Sequence, residues 1–230
     1  MNRSIIFAST LVCIFFIIAG CKKDSGGCET AEYIPVKIAD TGQVMCSSGP
    51  DGNEAMVNCD SVAVSGQDGN YTDIPKARRF SGPTQHGTYS DDHTTEDNVT
   101  KLVWKTCTEG MEYNGANCTG TAETMTWHDA TDTCCALNSA NSGSGYAGRT
   151  DWRLPSINEL ITIVDYGKSE PAIDETYFPN TQGAGLGETP YWASSEFRNK
   201  KSSYVLYFNN GTVLYWNKSD SVYVRCVSGQ

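Results

Sequence analysis

Asp151-Trp152-Arg153-Leu154-Pro155-Ser156-Ile157-Asn158-Glu159-Leu160 is the stretch whose reading decides the architecture. Ser156 and Glu159 have the spacing of a capping box, in which each side chain satisfies the other residue's backbone N–H. Pro155 sits just outside the helix that this box starts. Ile157, Leu160, Ile161 and Val164 recur at helical spacing and give it one apolar face, with Gly167 as a stop. Arg153 and Glu159 carry opposite charges across a strand-to-helix junction, where such a pair is ordinarily structural rather than ligand-facing.

Upstream, Thr126 can cap a second helix running from Trp127 to about Asn138. Trp127, Ala130, Cys134 and Leu137 form its buried face, with Cys135 beside them. Val99–Thr106 is β-branched and aromatic and reads as a strand. Cys107 and Cys118 flank a polar loop and are expected to pair across it. Trp104, Trp127 and Trp152 lie in apolar patterns and belong to the core. Downstream, 183–187 is a glycine-rich flexible loop. Tyr204–Phe208 and Thr212–Trp216 flank Asn209-Asn210-Gly211, a strong hairpin signal. Val222–Val227 reads as a closing strand.

Residues 28–98 are different in kind. Ser48-Gly49-Pro50-Asp51-Gly52-Asn53 and Gln67-Asp68-Gly69-Asn70 are turn chemistry. Short strands are expected at Tyr33–Ile38 and Met56–Val64, with a Cys46–Cys59 bridge closing the loop between them. Asp91-Asp92-His93-Thr94-Thr95-Glu96-Asp97 has oxygen ligands suited to calcium but lacks EF-hand spacing, and it reads as a solvated loop.

The N-terminus carries an export signal: Arg3, an apolar run from Ile5 to Ala19, then Ala19-Gly20 before Cys21. The run is about 15 residues, short of the roughly 20 that a spanning helix needs. Ile18-Ala19-Gly20-Cys21 resembles a lipobox, which implies cleavage before Cys21 and acyl chains on it, a stable anchor when there are two or more. The expected organisation is a signal peptide (1–20), a polar tether (21–30), a loop-rich arm (31–95) and a C-terminal domain (96–230). By enterobacterial sorting, Lys22 directs such a lipoprotein to the outer membrane.

The precursor has a net charge of −10, and loss of Arg3 leaves a still more acidic chain. Nucleic acid binding through clustered Lys and Arg is therefore not expected. Ten cysteines are present. Cys13 leaves with the signal and Cys21 takes lipid, leaving Cys28, Cys46, Cys59, Cys107, Cys118, Cys134, Cys135 and Cys226. An even set in an exported chain points to disulfides. Zinc is disfavoured, since no Cys-x-x-Cys pair exists and His86, His93 and His128 lack ligand spacing. No metal or other cofactor is expected.

Several pieces occur together and in order. Asp97-Asn98-Val99-Thr100 leads into Leu102-Val103-Trp104, and Trp127-His128-Asp129-Ala130 precedes Cys134 and Leu137. Asp151-Trp152-Arg153-Leu154-Pro155 precedes Glu159-Leu160. Phe178-Pro179, Tyr191-Trp192-Ala193-Ser194-Ser195 and Val224-Arg225-Cys226-Val227 follow. The arm adds Asp40-Thr41-Gly42-Gln43 and Gly66-Gln67-Asp68-Gly69-Asn70-Tyr71. This order resembles the Legionella collagen-like protein C-terminal domain family, from about Ile38 to the C-terminus.

The helix, Arg-Leu-Pro and second helix are also similar to the sulfatase-modifying group. The resemblance implies an α+β, C-type-lectin-like (sulfatase-modifying-factor-like) domain carrying a disulfide-braced arm. It further implies a Cys134–Cys226 bridge, which leaves Cys28 for Cys135 by elimination. Eight cysteines allow on the order of a hundred connectivities, so these pairings are hypotheses.

Catalysis finds little support. His128 and Asp129 are helix neighbours that point different ways, and no nucleophile elbow is present. Cys134 and Cys135 are expected to be disulfide-bonded rather than redox-active. Formylglycine-generating enzymes use a late cysteine pair, whereas only Cys226 is present here. Trp192, Glu196, Asn209, Asn210, Trp216 and Asn217 combine aromatic faces with amide and carboxylate groups, as carbohydrate sites do. The expectation is a non-enzymatic, lipid-anchored outer-membrane or surface lipoprotein binding a glycan or a host or envelope protein, as an adhesin does. A structural envelope component without a soluble ligand is the alternative. Sulfated polysaccharide is one ligand class that the family implies. A polyanion needs a local basic patch, for which Arg198, Lys200 and Lys201 are the late cluster.

Overall fold

The computed structural model describes residues 40–43, 45–48, 56–59, 77–183 and 189–229. Cys21, Cys28, the tether, the expected strand at Tyr33–Ile38 and most of the 183–187 loop lie outside these residues.

In chain order, β1 (Met45–Ser47) and β2 (Met56–Asn58) form a small hairpin next to the Cys46–Cys59 disulfide. β3 (Phe80–Gln85), β4 (His93–Asp97) and β5 (Val103–Lys105) follow, then the hairpin β6 (Met111–Tyr113) and β7 (Cys118–Gly120), braced by Cys107–Cys118. β8 (Thr124–Met125) enters α1 (Trp127–Ala136), which Thr126 caps and a 3-10 turn at Leu137–Ser139 extends. A distorted turn, α2 (Ala140–Gly143), precedes α3 (Ile157–Thr162). The chain ends with β9 (Tyr191–Glu196), β10 (Ser202–Leu206), β11 (Val213–Asn217), β12 (Val222–Tyr223) and β13 (Val227–Ser228). One sheet has the order β11-β10-β9-β12-β8 and the other β13-β5-β4-β3. The architecture is α+β.

The capping box forms as its spacing implies. Ser156 N–H donates to Glu159 Oε2 (2.7 Å), and Glu159 N–H donates to Ser156 Oγ (3.3 Å). α3 ends at Thr162 under Ile163, however, so Gly167 is not its stop. Gly167 instead packs against the backbone of Gly42. The central strands β9 and β10 of the five-stranded sheet carry buried side chains on both faces. One core holds Leu160, Ile163, Phe178, Tyr191 and Leu206. The other holds Trp127, Cys134, Trp152, Trp192 and Val205.

Three expectations are corrected. The Val99–Thr106 strand begins only at Val103. Asp97 accepts from Val99 N–H (2.8 Å), Thr100 N–H (3.2 Å) and the Thr100 hydroxyl (2.7 Å), bending the chain first. The acidic run at 91–97 is not a solvated loop, because His93–Asp97 is β4, with His93, Thr95 and Asp97 buried. Residues 95 and 96 both lie in β4, and β3 pairs with it.

The Val222–Val227 strand is two short strands in different sheets: Tyr223 pairs with Tyr191, and Val227 pairs with Trp104. Between them, fully buried Arg225 donates to the carbonyls of Lys105 and Thr106 and to Thr181 Oγ1 (2.9 Å). Two of these bonds give guanidinium N–H groups to main-chain carbonyls at the end of β5 and just beyond it, at the point where the closing segment passes from one sheet to the other. The Cys134–Cys226 disulfide ties α1 to the same crossing.

Candidate functional site

The six residues expected to make a binding site do not all meet. Trp192 is fully buried, and its indole N–H donates to Met125 O (2.9 Å). It lies on β9, between β10 and β12, with core on both faces, so it cannot stack on a ligand. Asn209 belongs to the β10–β11 loop, where its carbonyl accepts from Glu170 N–H (2.9 Å), at the opposite end of the hairpin from Asn217. Asn210 is exposed in the same loop.

Glu196, Trp216 and Asn217 do converge. Ser203 pairs with Glu196 on one side and Trp216 on the other, and Ser202 pairs with Asn217. Ser202, Tyr215, Trp216, Asn217 and Asp220 line a shallow depression of about 440 Å³. Tyr215 is 53% exposed and stacks on Phe197, with ring centroids 4.0 Å apart and planes 8° from parallel. Phe197 is braced in turn by the edge of Tyr204 at 5.7 Å. Trp216 is half-buried, with its ring against Tyr207.

Polar groups fix the rim. Asn199 Oδ1 accepts from Lys201 N–H and Ser202 N–H, both at 2.9 Å, and shapes the β9–β10 turn. That turn leaves Arg198, Lys200 and Lys201 exposed. Asp220 accepts from Asn217 N–H (3.0 Å). Lys218 is committed elsewhere: its ammonium pairs with Glu196 and lies 3.6 Å from the centre of the Trp127 ring. The arrangement can offer an aromatic plane, amide and hydroxyl groups, and a basic turn beside them. Tyr215, Phe197, Ser202 and Asp220 were not among the expected residues. In Val213-Leu214-Tyr215-Trp216 every residue is apolar, so no alternation marks which ring faces out.

The other candidates are structural. Arg153 grips Glu159 with two bonds (2.8 and 2.6 Å) and also donates to Gly229 O (3.0 Å). Burial alone would raise the Glu159 carboxyl, but Arg153 and Ser156 outweigh it and hold it below the usual carboxylate range. Asp129 caps α1 with Thr126, and His128 is exposed beside it. Cys135 is half-buried on α1, and Cys28 lies outside the described residues. Among the described residues no cluster of His, Cys, Asp or Glu could hold a metal ion, and no helix is long and apolar enough to cross a membrane.

A search of curated proteins finds no match to this chain. The model of the Lcl C-terminal domain matches residues 93–228, more than half of the chain. The match begins at the first residue of β4 and ends at the last of β13. This family points to a surface or secreted protein, as do three disulfides. By this match the chain belongs to the Lcl C-terminal domain family.

Proposed function

We propose that this protein is a non-enzymatic adhesin-type lipoprotein, anchored through acyl chains on Cys21, whose lectin-like domain binds a glycan at the open end of β9–β11. The observation that carries the reading is the Phe197–Tyr215 stack. A ring held from behind and exposed in front loses little freedom when a sugar face packs on it. Asn217 and Asp220 beside it supply amide and carboxylate groups of the kind that orient sugars, over a floor that includes buried Ser202.

Arg198, Lys200 and Lys201 favour an acidic glycan despite the net charge of −10. The C-type-lectin-like reading of the fold is supported by a mixed five-stranded sheet beside an antiparallel four-stranded one, the two helices and the Arg-Leu-Pro junction between them. The anchor reading is supported by Ile18-Ala19-Gly20-Cys21.

A glycan array tests the site. Binding to carboxylated or sulfated glycans is expected, with a loss of about tenfold or more for Tyr215→Ala, the usual scale of one lost stacking contact. Undiminished binding by Tyr215→Ala and by the Arg198→Ala/Lys200→Ala/Lys201→Ala triple variant would remove this placement. An empty array, with only envelope proteins recovered in a pull-down, would favour the structural envelope role. Labelling with a palmitate analogue tests the anchor: the wild type should label and Cys21→Ser should not.

A further inference from the structure

Among the described residues β11, an outer strand of the five-stranded sheet, has no strand paired to its far edge. Tyr207 N–H donates to Thr212 O (2.9 Å) and Lys218 N–H to Lys201 O (3.0 Å), which sets the phase of the β10–β11 ladder. Hydrogen-bonding direction alternates along a strand, so Leu214 and Trp216 bond inward. The main-chain N–H and C=O of Val213 and Tyr215 therefore point away from the sheet. Asn217 N–H points the same way, and Asp220 covers it.

Edge strands are usually guarded by charge, proline or a bulge. β11 is Val-Leu-Tyr-Trp-Asn, uncharged and regular in register over all five residues. Leu214 is 48% exposed and Tyr215 is 53% exposed, and they lie on opposite faces of the strand.

Charge is uneven along this edge, with three basic side chains outnumbering Asp220 at the Asn217 end, where Lys218 and Glu196 offset each other. Arg198, Lys200 and Lys201 stand at the Asn217 end. Glu170 stands at the Val213 end, hydrogen-bonded through its main chain to Asn209, and Asp165, Asp174 and Glu175 belong to the same region. Lys168 there is taken up by Asp174 (3.0 Å).

We infer that β11 pairs with β11 of a second copy of this chain, antiparallel about a two-fold axis through Tyr215. Tyr215 N–H then donates to Tyr215 C=O of the second copy, and Tyr215 C=O accepts from the N–H of that same residue in return. Leu214 comes opposite Trp216 of the other copy on one face, and the two Phe197–Tyr215 stacks join into one aromatic row on the other. Antiparallel pairing sets the basic end of each copy beside the acidic end of its mate, which argues for a second copy over an unrelated strand. A closed two-fold contact of this kind leaves no further open edge at β11.

Sedimentation equilibrium of the full-length chain in density-matched non-ionic detergent, with no glycan present, tests the pairing. A monomer–dimer equilibrium is expected. Val213→Pro removes an outward N–H that β10 does not use, and Tyr215→Lys places a charge on the edge. Each should weaken dimerisation about tenfold or more, or ~1.4 kcal/mol. Lys200→Glu should weaken it as well, and adding Glu170→Lys should restore it. If Val213→Pro fails to fold, the exposed Tyr215→Lys change carries the test. A wild type that stays monomeric at every concentration, or a dimer that persists in Tyr215→Lys, overturns the inference. Neither result bears on glycan binding by the monomer.

Discussion

Glu159 joins three devices in one carboxylate: the cap of α3, the clamp on Arg153 and, through Arg153, the carbonyl of Gly229. Its side chain is 7% exposed. Removing one partner of so buried a pair leaves the other uncompensated, so Glu159→Ala should cost about 3 kcal/mol in urea unfolding. The folded carboxyl titrates below its ordinary value of 4.5. Its contribution is therefore fully present above pH 4.5 and is lost as pH falls through the folded value. Glu159→Gln cannot titrate, so its stability should fall less steeply below pH 4.5 than that of the wild type. The cap and the clamp were legible in sequence because those contacts span six residues or fewer, whereas the bond from Arg153 to Gly229 spans 76 and left no local sign. Trp192 was not, because a tryptophan in a strand covered on both faces looks the same as one facing water.

Elements were legible where their ends are marked by local chemistry. Thr126 and Ser156 mark both helix starts, and the Asn209-Asn210-Gly211 turn marks the β10–β11 hairpin. The crossing at Val224–Cys226 had no such mark, since a run of β-branched residues reads as one strand until distant carbonyls claim Arg225. The Cys134–Cys226 bridge closes a separation of 92 residues there, against 11 for Cys107–Cys118. Loop-closure entropy grows slowly with length, from ~3 kcal/mol for about 15 residues to ~4.7 for about 100. Cys134→Ala/Cys226→Ala should therefore lower stability by roughly 4 kcal/mol. It should lower it more than Cys107→Ala/Cys118→Ala does, as compared by urea midpoints of the two variants. A larger loss from the short bridge would mean that β6–β7 is more central to the fold than its small satellite core implies.

At the scale of the molecule, the described part of the arm is attached to the domain rather than strung from it. Thr41 O accepts from Tyr166 N–H (3.0 Å) and from Arg78 Nη1 (3.1 Å), and Arg78 also donates to the carbonyl of Val164. The chain passes this point with Gly42 at φ +84°, directly under the Asp165 side chain, where a Cβ would collide with the carboxylate. Both the backbone angle and the space exclude a side chain, the angle alone costing about 1 kcal/mol. Gly42→Ala should therefore lift residues 40–43 from the loop after α3 and leave the distant β9–β11 end intact. Hydrogen exchange should quicken at the amides of Gln43 and Tyr166, while those of Val205 and Trp216 keep their wild-type protection. Glycan binding should be unchanged, because the depression at Tyr215 and the arm contact at Tyr166 lie at opposite ends of the β10–β11 hairpin. Loss of protection throughout the five-stranded sheet would instead make the arm part of the cooperative fold, and the anchor proposed at Cys21 would then act on the proposed binding end itself.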